Sequence, residues 1–323
     1  MLNTSILLIT FNRPEHTRKV LEAIMAANPQ DLYVFQDGAR QGNSSDEEKC
    51  AEVRRVVETL TRGGGVRLHT LYSDINLGCG PGPMTALNWF FSENERGIIL
   101  EDDAVPHPDF FPYCEELLEK YKDNFDIRAI GSMNVDTQRW GDGSYYFSMM
   151  NRNLCAWATW KRAWEAFDIK MENVSRCKLR KALRHYGCGA LECEYWCDRL
   201  DEVHKDLCGG KSWDMQFIMS IWTNKGKGII PNVNLSSNIG TVGEATHAMG
   251  EGNIIDNVPS HPIMPLTHPS GTAAQYVADK QFHFRYFEPG KKNWKFPMTV
   301  YYLFNRRLKR LLGHQGPWIK RKK

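Results

Sequence analysis

Three consecutive carboxylates, Glu101-Asp102-Asp103, close the apolar run Gly97-Ile98-Ile99-Leu100 and run on into Ala104-Val105-Pro106. A short β-branched run opened by Gly and ended by charge and then Pro reads as a buried strand. Three adjacent acids repel one another unless a positive partner shares their charge, and a hard divalent cation with oxygen ligands suits that role. An isolated acidic pair in a loop is more often solvated surface. This one ends a strand, where open α/β sheets bind their ligands.

Other residues invite chemistry less directly. Asp37 stands in Asp37-Gly38, a common turn pair. Arg13 precedes Pro14, whose missing N–H suits the first position of a helix, so Arg13 could simply begin that helix. Gly78 to Pro83 allows close backbone approach to a ligand but lacks the Gly-Lys-Ser/Thr ending of a P-loop, which argues against ATP hydrolysis. Asp214, in Ser212-Trp213-Asp214, reads either as a helix-capping acid or as a positioned general base. His247 lies in a Gly-rich stretch, where a solvated histidine is the ordinary case, and Trp157 and Trp160 read as core aromatics. Cys177, Cys188, Cys193, Cys197 and Cys208 crowd one segment near His185 and His204, without the paired Cys-x-x-Cys of a zinc site, so free thiols are expected.

These residues need elements to hold them. Strands are expected at Thr4 to Phe11, Leu32 to Phe35 and Val66 to Ser73, ahead of the acidic strand. Between them come helices from Pro14, from a cap at Asp46, and from Met84 to about Glu95. Gly63-Gly64-Gly65 stops the second helix. This alternation predicts a parallel doubly wound sheet, because parallel neighbours need crossover connections. Beyond it, strands are expected at Ala129 to Met133, Tyr145 to Met149 and Gly228 to Leu235. A helical insertion over 172–208 would pack through Leu179, Leu183, Leu191 and Trp196, and Trp213 to Asn224 reads as a further helix. Ile239 to Gly271 reads as a long loop, and loops of that length are usually functional or disordered.

With 323 residues and 42% hydrophobic content, the chain can bury a sizeable core. No apolar stretch approaches the ~20 residues that span a bilayer, and the start lacks the basic and small-residue features of a signal peptide. A cytosolic protein with reduced thiols is expected. The net charge of +3 hides an asymmetry: residues 291–323 hold eleven Lys and Arg and no acid, while the preceding residues hold 30 bases against 38 acids.

Thr10-Phe11-Asn12-Arg13-Pro14, Asp37-Gly38, Asn76-Leu77-Gly78 and Glu101-Asp102-Asp103 together resemble the nucleotide-diphosphosugar glycosyltransferases of the GT-A fold. The later half resembles the bacterial hemolytic-protein HlpA-like group. That likeness runs through Trp157-Ala158-Thr159-Trp160, Asn238-Ile239-Gly240, Ala245-Thr246-His247 and His268-Pro269. The resemblance implies an α/β fold with a Rossmann-like mixed sheet flanked by helices, plus the helical insertion and a basic tail. Its divisions would be a nucleotide-sugar-binding half (1–125), an acceptor-binding half (126–288) and the tail (289–323).

By the same resemblance, Asp103 and His247 would ligate Mn²⁺ or Mg²⁺. Thr10, Phe11, Arg13, Asp37, Asn76, Gly78, Glu101, Asp102 and Trp157 would bind the donor, with Trp157 in a loop lining its sugar. Asp214 would be the base of an inverting hexosyl or N-acetylhexosaminyl transfer. The implied partners are a nucleoside diphosphate sugar, with UDP as nucleotide, and a glycan or lipid-linked acceptor of surface polysaccharide assembly. A sugar nucleotidyltransferase would need a glycine-rich, basic signature after the first strand, which Asn12-Arg13-Pro14-Glu15 is not. A non-catalytic glycan- or membrane-binding protein on the same fold is the other alternative.

The tail mixes Trp294, Phe296, Val300, Leu303, Phe304, Leu308, Leu311 and Leu312 with Lys295, Arg306, Arg307, Lys309 and Arg310. A basic amphipathic segment suits an anionic membrane surface, at ~1 kcal/mol per basic residue near it. A location on the inner face of the cell membrane follows. Nucleic acid is not expected as a partner, since no nucleic-acid motif accompanies the charge. A helix packed on the domain is the plainer reading of the same residues.

Overall fold

The computed structural model describes residues 1–136, 138–150, 155–205, 213–240, 257–288 and 297–311. In chain order the elements are β1 (Ile6–Thr10), α1 (Pro14–Ala26), β2 (Asp31–Gln36), α2 (Ser44–Thr61), β3 (Arg67–Tyr72), α3 (Pro81–Glu93), β4 (Arg96–Glu101) and β5 (Ala104–Pro106). There follow α4 (Phe110–Lys120), β6 (Ile127–Gly131), β7 (Tyr145–Ser148), β8 (Ala156–Trp160), α5 (Lys161–Trp164), α6 (Arg176–His185) and α7 (Ala190–His204). The last are α8 (Asp214–Thr223), β9 (Lys227–Pro231), β10 (Ser236–Asn238), α9 (Tyr276–Tyr286) and α10 (Met298–Leu311).

One eight-stranded sheet runs β3-β2-β1-β4-β8-β6-β9-β7. Its first four strands are mutually parallel, as the alternation of strands and helices predicts. Side chains alternate across this half: Ile6 and Leu8 face a core with Val20, Leu21 and Ile24 of α1 and Val56 and Val57 of α2. Leu7 and Ile9 face Ala86, Leu87, Phe90 and Phe91 of α3. Covering both faces explains why β1, β2 and β4 are apolar through their middles rather than alternating, while the edge strand β3 is mixed and partly exposed.

The expected loop around Trp157 is instead a strand. β8 runs antiparallel to β4 on one side and to β6 on the other, with Ile99 opposite Trp157 and Gly131 opposite Trp157. Every residue of Ala156–Trp160 is buried, so the segment fills the middle of the sheet. The helix capped at Asp46 also needs correction. Asn43 accepts the Asp46 amide and is the N-cap, which places Asp46 in the first turn with its side chain turned inward. The third helix begins at Pro81, three residues ahead of Met84.

The insertion forms as expected: α6 and α7 bury Leu179, Leu183, Leu191 and Trp196. Cys188, Cys193 and Cys197 are buried free thiols and Cys177 an exposed one, while Cys208 lies outside the described residues. β10 pairs antiparallel with β5, which brings the late chain back beside the acidic strand. Residues 257–271 carry no helix or strand.

Candidate functional site

The C-terminal ends of β1, β2, β3 and β4 share one edge of the sheet, since the strands are parallel and in register. β8 runs the other way, so its start lies at the same edge, and the Glu101 amide donates to Cys155 O at 2.7 Å. Oxygens of Glu101 and Asp103 and the Cys155 sulfur all lie within 4.8 Å of one another. Among the described residues this is the one group of His, Cys, Asp and Glu with such spacing.

The electrostatics follow from that crowding. Burial, then Asp103 and Asp102, push the Glu101 carboxyl well above the ordinary range. Burial and Asp103 do the same to Asp102, outweighing Arg13 and the Phe11 amide. The Cys155 thiol is raised by its own burial, then by Glu101 and Asp103. Arg13 spans the pair, with Nη1 3.2 Å from Asp103 Oδ2 and 3.7 Å from Asp102 Oδ1. It is also the N-cap residue of α1, so both sequence readings of Arg13 describe it. Asp102 is held from below by the Phe11 amide at 3.3 Å.

An oxygen-preferring divalent ion fits this donor set. Asp103 Oδ1 is buried without a hydrogen-bond partner, and among the described residues Asp102 and Asp103 share a single guanidinium, that of Arg13. Carboxylate oxygens are the ligands that Mg²⁺ and Mn²⁺ accept. A late segment also closes on the site: Ile239 N donates to Asp103 O at 2.8 Å, and His16 Nε2 stands 3.2 Å from Ile239 O. Gly240 is required there, because a Cβ would lie 2.4 Å from Asp103 Oδ2. His247, expected as a metal ligand, lies outside the described residues.

Several expected donor-binding side chains prove committed to the protein itself. Asp37 Oδ1 accepts the amides of Gly38 at 2.9 Å and Leu77 at 2.8 Å. Its Oδ2 accepts Gly78 N at 2.9 Å and Asn76 Nδ2 at 3.1 Å. Four bonds use the lone pairs of a carboxylate, so Asp37 braces the Asn76–Gly78 loop and has no acceptor left for a nucleotide. Gly38 allows this approach, since a Cβ would meet the Ile75 backbone at 2.5 Å. Asn76 is spent on the same brace, with Nδ2 also donating to Gly38 O at 2.9 Å. Thr10 Oγ1 donates to Phe35 O at 2.9 Å and is buried.

Trp157 is wholly enclosed, 5.9 Å from the Trp213 ring and 5.2 Å from Phe217, so it cannot line a ligand as a loop residue would. Its packing instead sets Trp213, and with it the start of α8, where Asp214 is exposed. Asp214 is close enough to help raise Glu101.

Sequence reasoning placed Cys155 in a donor-lining loop rather than against Glu101, read Asp46 as a helix cap alone, and missed Arg40. Asp46 accepts Arg40 Nε at 2.5 Å and Asn12 Nδ2 at 2.8 Å, and the guanidinium holds its carboxyl down to about 2. Arg40 is thereby placed over the Phe11 ring, 5.8 Å from its centre. An acid three residues after Asn43 was the available signal, but its neighbours come from other loops.

No family model matches the chain, and no curated protein does. The narrower likeness to the HlpA-like group therefore gains no support. Solved structures resemble it in part. An apo UDP-glucose pyrophosphorylase is 9% identical, with 73% of this chain and 93% of that one covered at a TM-score of 0.39. The inositol-1-phosphate CTP transferase from T. maritima is 12% identical, covering 54% of this chain and 76% of that one at 0.29. The glycosyltransferase GlyE of Streptococcus pneumoniae TIGR4 is 9% identical, covering 71% of this chain and 45% of that one at 0.29. Likeness at this level carries no argument about activity. The mixed sheet flanked by helices stands on its own strand order.

Proposed function

We propose that the chain is a metal-dependent transferase that moves a sugar from a nucleoside diphosphate donor, with UDP as nucleotide, to a glycan or lipid-linked acceptor in surface polysaccharide assembly. The observation that carries this reading is the crowded trio Glu101, Asp102 and Asp103 at the ligand-binding edge of a Rossmann-like sheet, with an exposed Asp214 near Glu101.

Asp103 and Glu101 would hold a Mg²⁺ or Mn²⁺ ion, with His247 a proposed further ligand. Such an ion supplies Lewis-acid stabilisation of the charge that develops on a departing diphosphate. Asp102 orients Phe11 and Arg13, and phosphate oxygens arriving beside the acids would give Arg13 a second anionic partner. Asp37 fixes the Asn76–Gly78 turn, so the loop meets the donor as preset backbone. Asp214 would take the proton of the acceptor hydroxyl as that oxygen bonds to the sugar's anomeric carbon and the nucleoside diphosphate leaves from the other face, a single displacement that inverts it.

The test is thermal unfolding of wild type and Asp103→Ala with UDP, GDP and CDP, each with and without Mn²⁺. A ligand that binds only the folded state raises its apparent stability. Stabilisation of wild type by UDP with Mn²⁺, lost in Asp103→Ala, is the expected result, with UDP and not pyrophosphate released when a UDP-sugar turns over. A response to another nucleoside diphosphate changes the donor. Absence of any response removes the reading.

A further inference from the structure

Helix α10 carries its apolar residues on the outside. Tyr301 is 71% exposed, Phe304 63%, Val300 54% and Leu308 42%. At 100° per residue these four fall in one sector roughly 100° wide, a continuous stripe along the helix. The direction of that stripe is fixed by Arg306, which lies roughly 170° around the helix from its middle. Arg306 Nε donates to Asp198 Oδ2 of α7, and Nη1 stands 4.0 Å from Glu288 Oε1. The ion pairs therefore hold the polar side of α10 against the body and leave the apolar side facing out. A helix packed on the domain through its hydrophobic residues would show the reverse.

The charge of the segment that carries this stripe selects what covers it. Residues 291–323 contain eleven Lys and Arg and no acid, whereas the rest of the chain is net acidic. A protein partner would be expected to match an apolar stripe without so one-sided a field. An anionic bilayer satisfies both features, because apolar side chains enter the acyl boundary while bases meet the headgroups. Among the described residues no helix is long and apolar enough to cross a membrane, so the contact is peripheral.

We infer that α10 docks the protein on anionic lipid through Val300, Tyr301, Phe304 and Leu308. This docking is independent of the proposed sugar transfer, and either can fail alone. The test is vesicle flotation of the full chain, using phosphatidylcholine alone and phosphatidylcholine with about 30 mol% phosphatidylglycerol, the anionic component that recruits basic segments. The variants are Phe304→Glu with Leu308→Glu, and Phe304→Ser alone as a milder change.

Wild type is expected to float with the anionic vesicles and far less with the neutral ones. The double variant should lose about tenfold or more in partitioning, given the apolar area removed. Its melting temperature, and any nucleotide response that wild type shows, should be unchanged. Equal flotation of wild type and both variants would overturn the inference, as would equal binding to neutral and anionic vesicles. So would failure to float combined with concentration-dependent dimerisation that the double variant abolishes, which would assign the stripe to a second copy.

Discussion

Two acidic clusters in this chain are built on opposite terms. In the insertion, Glu194 meets Arg176 at 3.0 Å and Arg180 at 2.7 Å, while Asp198 meets Arg176 at 3.2 Å and also pairs with Arg306. Asp201 adds a further contact to Arg176. At the sheet edge, Asp102 and Asp103 share Arg13, Glu101 crowds against both acids, and the Glu101 and Asp102 carboxyls are forced upward in pKa. Acids matched by guanidinium groups pin α6, α7 and α10 together. Acids left short of positive charge do little for the fold and keep oxygens available for a cation.

Cutting the matched cluster should have the largest effect. Arg176→Ala takes one of the two guanidinium partners from the buried Glu194 and removes the contacts to Asp198 and Asp201, and is expected to cost ~3 kcal/mol in urea unfolding, the scale of hydrogen bonds to charged groups. The response to Mn²⁺ and nucleotide should survive, and its loss would mean that the two clusters are coupled. Gly240→Ala comes next, because its Cβ would press on Asp103 Oδ2 at 2.4 Å. It should cost about 1–3 kcal/mol through overpacking and weaken Mn²⁺ binding measured by calorimetry.

Asp46→Asn tests a matched acid beside the site and should cost ~1.5 kcal/mol at neutral pH, the scale of a hydrogen bond to a charged group. The Asp46 carboxyl sits at about 2 in the folded chain against 3.8 otherwise, so its contribution is present above 3.8 and is lost as pH falls through about 2. Unfolding curves of wild type and Asp46→Asn should converge over that acid window. The smallest effect has the opposite sign. Asp103→Asn removes like-charge repulsion from Glu101 and Asp102 and should stabilise the metal-free protein slightly, while abolishing the Mn²⁺ response. Destabilisation instead would show that the unmatched cluster holds the fold.

The parallel half was legible because its signals are local. Runs ending at Asp37, Ser73 and Glu101 marked the strands, and Pro14 and the three glycines from Gly63 marked the helix limits. What sequence could not supply was pairing. Ala156–Trp160 is apolar on both faces, a pattern shared by buried strands and buried loops, and nothing local says that it lies between β4 and β6. The same gap hid the place of Cys155 against Glu101, which it reaches through that pairing. Asp37 was placed correctly at its strand end, but its acceptors are consumed by a loop about forty residues onward.

The central position of β8 also governs when the site can exist during synthesis. The acids emerge by residue 103, yet the strand that closes the sheet beside them, just after Cys155, ends at Trp160. A ribosome-bound chain stopped short of that strand would carry the carboxylates on an open sheet edge without the neighbour that completes their surroundings. Competence to hold a cation would then arise as one late event rather than gradually, since β8 must pair with strands from both halves of the domain before the site is closed.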